Sequence, residues 1–308
     1  MNDKDILLIG GAGFLGRALT SRLDESGYAL HVVTRSNALD FSDKVTSYGG
    51  GMENATLLRR LIPEFKTVVH LASGTTPGLS NRAPSLEGSM NITPTLILLE
   101  ELQRNPHVRL IYVSSGGAVY GNPASRLVPE SAELRPLSYY GAGKAAVESF
   151  LNCLHLQTGN PVVILRPSNL YGPGQPMYQG FGVVRTMLQH LRDNSPMTIW
   201  GDGSNVRDYL YIDDMVSAVE LVLANASASG PFNVGNGIGH SLNELIHIAE
   251  SVSGARLSVR YETSRGIDVG RIVLDITSIQ QCYGWTPATV LENGMAKTWK
   301  WLCSQIQE

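Results

Sequence analysis

The sequence predicts an α/β fold: a doubly wound parallel sheet followed by a smaller C-terminal α/β region. Three observations predict it. Short, continuous apolar runs alternate with amphipathic stretches through the first half of the chain, and the first run leads straight into a glycine-rich loop. After Arg166 the punctuation changes, with Gly172, Pro173, Gly174, Pro176, Gly180 and Gly182 breaking the alternation. Strands buried on both faces read as unbroken apolar runs, and parallel neighbours need a crossover, which the intervening helical patterns supply.

Taken in order, Ile6–Ile9, Leu30–Thr34, Thr67–Leu71, Arg109–Ser114 and Pro161–Arg166 are expected as strands. Helical spacing runs through Phe14–Ser26, a stretch near Leu86–Gln103, and Tyr140–Thr158, the last with Val147, Phe150, Leu151 and Leu154 on one face. The later helices are expected at Asp214–Ala224, Leu242–Ser253 and Val290–Ile306. We expect a first domain over residues 1–169 plus about 207–235, and a second region over 170–206 and 236–308 that packs on the strand ends and closes a cleft.

Composition narrows the function. The 308 residues carry 24 Lys+Arg against 27 Asp+Glu, a net charge of −3 with no block of like sign. That provides no footprint for a nucleic-acid backbone or an anionic membrane, so a small molecule is the expected partner. At 43% hydrophobic and 17% charged the chain is too apolar for intrinsic disorder. Cys153, Cys282 and Cys303 are odd in number and widely spaced, and the seven histidines show no ligand spacing. Neither a disulfide framework nor a metal site is expected, and a reducing cytoplasm is. The first apolar run is too short for a signal-peptide core, and none approaches the ~18 residues of a membrane span.

The loop Gly10-Gly11-Ala12-Gly13-Phe14-Leu15-Gly16 lies between a predicted strand and a predicted helix. Glycines there make a tight turn, let backbone N–H groups approach a pyrophosphate, and set it at the positive helix end, so a dinucleotide is the expected cofactor. At the end of the second strand, where a carboxylate commonly receives the adenosine ribose, the chain reads Thr34-Arg35-Ser36. Arg35 suits a 2′-phosphate and favours NADP over NAD; Asp40 or Asp43 folding back to the ribose would favour NAD. Farther on, Tyr140 and Lys144 stand four residues apart on one helix face, where an ammonium stabilises a phenolate.

These features and their order resemble the extended short-chain dehydrogenase/reductase superfamily, in its nucleotide-sugar epimerase/dehydratase branch. The resemblance spans nearly the whole chain. It rests on the Gly10/Gly13/Gly16 loop, His70-Leu71-Ala72, Ser114 to Gly121, Tyr140/Lys144 and Arg166 to Gly174. It continues through Gly201 to Ser204, Arg207-Asp208-Tyr209, Asp213-Asp214, Asn233-Val234-Gly235 and Gly284-Trp285-Thr286-Pro287. The resemblance implies a Rossmann-like sheet with Tyr140 as general acid or base, Lys144 on the nicotinamide ribose, and a serine on the reacting hydroxyl. Gly116 stands where the family carries that serine or threonine, which passes the role to Ser115, with Ser114 or water as alternatives. Cofactor contacts are implied for Gly10, Gly13, Phe14, Leu15, Gly16, Thr34, Arg35, Leu71, Ala72, Ser114, Tyr140, Lys144 and Pro167, and substrate contacts for Ser115, Asn169, Arg207 and Arg265.

Three departures from the family pattern matter. Gly49-Gly50-Gly51-Met52-Glu53 lacks the aspartate that greets adenine, Gly143 replaces a serine before Lys144, and Gly117 and Ala118 stand where a 4,6-dehydratase carries its acid and base. Dehydration is therefore disfavoured. The resemblance implies an isomerase, a nucleotide-diphosphate-sugar 4-epimerase that oxidises C4 transiently. The alternatives are an oxidoreductase, an NADPH-dependent 4-keto-6-deoxy-sugar reductase, and, in another class, a non-catalytic NADP-sensing regulator. The family's habit implies a homodimer formed through the Tyr140 helix and the helix before it.

Overall fold

The computed structural model describes residues 4–35, 42, 44–177, 182–226, 228–264 and 269–305. Asp40, Asp43 and Arg265, considered above as ligand contacts, lie outside the described residues. The chain divides into two compact units, one formed by residues 1–115, 138–166 and 219–232, the other by 116–137, 167–218 and 233–308.

Through the first unit the chain order is β1 (Asp5–Ile9), α1 (Phe14–Glu25), β2 (Ala29–Thr34), β3 (Val45–Gly49), α2 (Ala55–Leu61), β4 (Thr67–His70), α3 (Pro77–Arg82) and α4 (Ser85–Glu87). A π-helical turn, Gly88–Ile92, leads into α5 (Thr93–Arg104), and β5 (Arg109–Val113) follows. After α6 (Gly116–Val119), which belongs to the second unit, come α7 (Tyr139–Thr158) and β6 (Val162–Pro167). Strands β3-β2-β1-β4-β5-β6 lie side by side and pair in parallel in that order. This is the doubly wound order the alternation of strands and helices predicts, and it reverses direction between β1 and β4. The loops that leave those two strands flank the switch point, where such sheets take ligands.

Local chemistry explains the elements. Strands β1, β4, β5 and β6 are almost wholly buried, as their apolar runs require. Ser138 starts α7 by accepting a hydrogen bond from the Gly141 N–H at 3.1 Å, and Gly159 ends it in the left-handed conformation at φ 78°. Val147, Leu151 and Leu154 enter the core, but Phe150 remains 42% exposed, so the apolar face of α7 is narrower than its sequence suggests. The π turn precedes Pro94, which has no N–H to give and would clash with the carbonyl of the residue four back.

The second unit continues with β7 (Asn169–Tyr171), α8 (Val183–Arg192), β8 (Met197–Trp200), β9 (Val206–Tyr211), α9 (Ile212–Ala224) and β10 (Gly230–Val234). β11 (Gly239–Ser241), α10 (Leu242–Ser253), β12 (Val259–Glu262), β13 (Arg271–Ile272), α11 (Thr277–Tyr283) and α12 (Leu291–Ser304) complete it. Helix α9 and strand β10 cross the unit boundary, and β10 joins the large sheet beside β6 as its seventh strand. Within the second unit, β9 pairs with β7, β11 and β13. Asp208, buried in β9, accepts hydrogen bonds from the N–H groups of Asn236, Gly237 and Leu274 at 2.8, 3.1 and 3.3 Å. Asp214 does the same for Ala288 and Thr289 at 3.0 and 3.1 Å, and the Trp285 indole donates to the Asp214 carbonyl at 3.1 Å. These aspartates join segments far apart in sequence. No helix among the described residues is long and apolar enough to cross a membrane.

Candidate active site

The glycine loop is built around close backbone approach. Gly10 has φ 91°, and a Cβ there would lie 2.6 Å from the Ala72 nitrogen; one at Gly16 would lie 2.3 Å from the Gly10 carbonyl oxygen. The loop after β4 closes against it, with the Leu71 N–H donating to the Ile9 carbonyl at 2.8 Å. Gly13 is different: it is exposed, and a Cβ there would meet only the Gly10 oxygen at 3.5 Å. It caps α1 with no side-chain hydrogen bond and no acidic residue in the first turn. The first N–H groups of α1, at Phe14, Leu15 and Gly16, therefore form a bare positive helix end, which fits the pyrophosphate of a dinucleotide. Thr34 is buried at the end of β2 and Arg35 is exposed beside it. Near the missing aspartate, the Glu53 carboxylate folds back until its carbon lies 2.6 Å from where a Gly51 Cβ would stand. A carboxylate is thus present beside Gly51 although the aspartate of the family pattern is missing.

Helix α7 and the end of β5 bring the reactive groups together. Tyr140 is half-buried at the first turn of α7, with the Ser115 hydroxyl beside its phenol. Burial pushes the Tyr140 phenol up to about 12, the nearby Glu87 carboxylate adds to that, and the Ser115 hydroxyl works against both. Lys144 is buried one turn on, its ammonium donating to the Val113 carbonyl at 3.0 Å and lying 4.9 Å from the Tyr112 ring centroid and 5.9 Å from that of Tyr140. Burial brings its ammonium down to about 8, opposed by Glu87 and Glu148.

Ser114 faces elsewhere. Its hydroxyl is buried and donates to Glu148, which is clamped by Arg166: Nη2 donates to Oε2 at 2.6 Å and Nε reaches both oxygens at 3.2 and 3.0 Å. The structure thus groups Tyr140, Lys144 and Ser115 and assigns Ser114 to a buried ion pair behind them. Glu87, Glu148 and Glu53 were not singled out as partners by sequence reasoning. The signal for two of them was the glycine beside each, Gly143 and Gly51, both departures from the family pattern.

In the second unit, Asn169 donates through Nδ2 to the Asp208 carbonyl at 2.9 Å and lies against Gly117. Arg207 donates to the carbonyls of Val206, at 2.9 Å, and Val269. Both side chains are partly exposed and are anchored on backbone oxygens. Pro167 ends β6 in the core. No cluster of metal-ligating side chains occurs among the described residues.

Known proteins resemble this chain along most of its length. Residues 6–235 match the NAD dependent epimerase/dehydratase family. A UDP-glucose 4-epimerase of Mycolicibacterium smegmatis is 31% identical over 302 residues, covering 95% of this chain and 96% of that protein. A dTDP-4-dehydro-6-deoxyglucose reductase of Escherichia coli is 28% identical over 302 residues, covering 95% of each. Among solved structures, a UDP-glucose 4-epimerase of Thermotoga maritima with UDP-glucose superposes with a TM-score of 0.91 at 31% identity, covering 98% of this chain and 100% of the other.

Proposed function

The chain belongs to the NAD-dependent epimerase/dehydratase family of enzymes, and on that premise we propose that it is a nucleotide-diphosphate-sugar 4-epimerase. The observation that carries the reading is the grouping of Tyr140, Ser115 and Lys144 in the same unit as an open, acid-free glycine-loop cradle. In this reading Tyr140 takes the proton of the sugar 4-hydroxyl and later returns it, and Ser115 holds that oxygen in line. Lys144 supplies positive charge on the phenol's side of the helix and binds the nicotinamide ribose. When bound, the nicotinamide accepts and returns a hydride. The helix end at Phe14, Leu15 and Gly16 holds its pyrophosphate, with Thr34, Leu71, Ala72 and Pro167 as further contacts. Asn169, Arg207 and Arg265 bind the diphosphate and sugar.

The relatives from M. smegmatis and T. maritima are UDP-glucose 4-epimerases, which supports the epimerase reading. A second reading, reduction of a 4-keto-6-deoxy nucleotide sugar, has support from the E. coli relative and from the tenacity with which Tyr140 holds its proton, the state a general acid needs. Arg35 adds to it by favouring the 2′-phosphate of NADP. A homodimer through α7 and α5 is supported by exposed Phe150.

The experiment is to denature the purified protein, identify any released nicotinamide by absorbance and mass, and then incubate fresh protein with a panel of nucleotide sugars. Conversion to the 4-epimer with no net change in nicotinamide absorbance, abolished by Tyr140→Phe, is expected. Steady consumption of NADPH with 4-keto-6-deoxy sugars and no epimerisation replaces it with the reductase. Cofactor binding with no turnover of any sugar replaces both with a sensor.

A further inference from the structure

Glu87 has no part in the roles above, yet it is firmly held close to them. It is 4% exposed. Its Oε2 accepts hydrogen bonds from the hydroxyls of Thr75 and Ser80 at 2.6 and 2.7 Å, and its Oε1 accepts from the Asn91 amide at 2.7 Å. Asn91 is fixed in turn, donating to the Thr75 hydroxyl at 2.8 Å and accepting from the Gly74 N–H at 2.7 Å. The carboxylate is thereby tied to the segment that follows Leu71 and Ala72. On its other side is α7. A Cβ at Gly143 would lie 2.4 Å from Glu87 Cγ and 2.5 Å from Oε1, so the carboxylate occupies a notch that only glycine leaves open. Gly143 sits between Tyr140 and Lys144 on the same helix.

We infer that Glu87 is a positioning residue for the reaction proposed above: a buried carboxylate, seated in the notch of Gly143, that keeps the proton on Tyr140 and the charge on Lys144 between turnovers. The three groups that bond it are uncharged, so its field reaches its neighbours without a paired cation. A fixed negative charge disfavours a phenolate and favours an ammonium, and Glu87 acts on both groups in that sense. Of the other ionisable groups facing this turn, Glu148 shares its effect on Lys144, and none shares its effect on Tyr140. Glu148, on α7, is clamped by Arg166 from β6; Tyr112, on β5, is held neutral by burial; and His70, on β4, is neutral because burial and Lys144 bring it down to about 3.

The test is a titration of the cofactor-free full chain labelled with ¹³C in tyrosine and lysine. The Tyr140 and Lys144 signals are identified by their loss in Tyr140→Phe and Lys144→Met. In Glu87→Gln, both groups are expected to titrate at lower pH, each by about one unit or more, because a shared negative charge has been removed. A merely structural role gives a different pattern. Loosened packing admits water, which lowers Tyr140 but raises Lys144 toward its ordinary value. Opposite shifts, or no shift in either group, overturn the inference. Should Glu87→Gln fail to fold, Gly143→Ala carries the same test, since the added methyl expels the carboxylate and the same paired fall is expected. Because the readout needs neither cofactor nor sugar, a protein that shows the paired fall but no epimerisation refutes the functional reading and leaves this one standing.

Discussion

Replacing Glu148 with alanine removes one half of a buried ion pair and is expected to cost about 3–5 kcal/mol of stability. The side chains of Glu148 and Arg166 are 4% and 6% exposed. Arg166 directs Nη2 at 2.6 Å and Nε at 3.0 and 3.2 Å onto the carboxylate, and the Ser114 hydroxyl donates to it as well. In Glu148→Ala the guanidinium stays buried with its three contacts to the carboxylate gone, and the loss is the cost of a buried cation deprived of its counter-charge rather than the value of the pair itself. The pair's own worth is tested by the triple variant Ser114→Ala, Glu148→Leu, Arg166→Met, which removes both charges and the hydroxyl that bonds the carboxylate. It is expected to lie within about 1–2 kcal/mol of the wild type. Urea unfolding followed by circular dichroism reads both, with the slope held constant as the check that only stability has changed. A loss below about 1 kcal/mol in Glu148→Ala, or a triple variant no more stable than the single one, refutes the reasoning.

Ser115→Ala is expected to slow the chemical step by ~10²-fold in single-turnover kinetics, since the hydroxyl proposed to hold the reacting oxygen beside Tyr140 is lost; unchanged rates return the role to water. Ser114→Ala is expected to register in the urea midpoint, by about 1 kcal/mol, because its partner is the buried Glu148. Arg35→Ala is expected to weaken NADP at least ~10-fold and NAD by less than ~2-fold in fluorescence titrations, and equal losses mean that no 2′-phosphate is read. His70 is brought down to about 3 from an ordinary 6.5, so between those values the unfolded chain binds the proton and the folded protein does not. Stability contributed by its neutral form is complete above pH 6.5 and falls as pH drops toward 3. His70→Gln should flatten that part of the stability profile relative to the wild type, and identical slopes in the two proteins contradict the assignment.

Strands β1, β2, β4, β5 and β6 were legible because a strand covered on both faces must be apolar throughout, a pattern local enough to read. Helix α10 was legible to the residue, since the Ser241/Glu244 capping box and left-handed Gly254 mark its ends. β3 was not: as an edge strand reading Val45 to Gly49 it exposes three of its five residues and buries none fully. The short strands β7, β11 and β13 are held by backbone pairing with β9 and carry no pattern of their own. In the site, Tyr140 and Lys144 share a face because helix geometry dictates it. Ser114 and Ser115 are adjacent at a strand end, where neighbouring side chains point to opposite sides, so only one meets Tyr140. Which one depends on the phase of β5 in the sheet, a long-range property. Glu87 and Arg166 come to the site from separate elements, and no local spacing announces either.

The fit of Glu87 into the notch at Gly143 also constrains how this sequence can change. A methyl at position 143 collides with a carboxylate that three hydrogen bonds hold in place, whereas shortening Glu87 first leaves room for that methyl. The two sites are therefore epistatic with a preferred order. A lineage can regain a side chain at 143 by losing the glutamate beforehand, and the reverse order passes through a clash next to Lys144. Descendants of this chain should exchange the two residues together or keep both, although the positions belong to different helices.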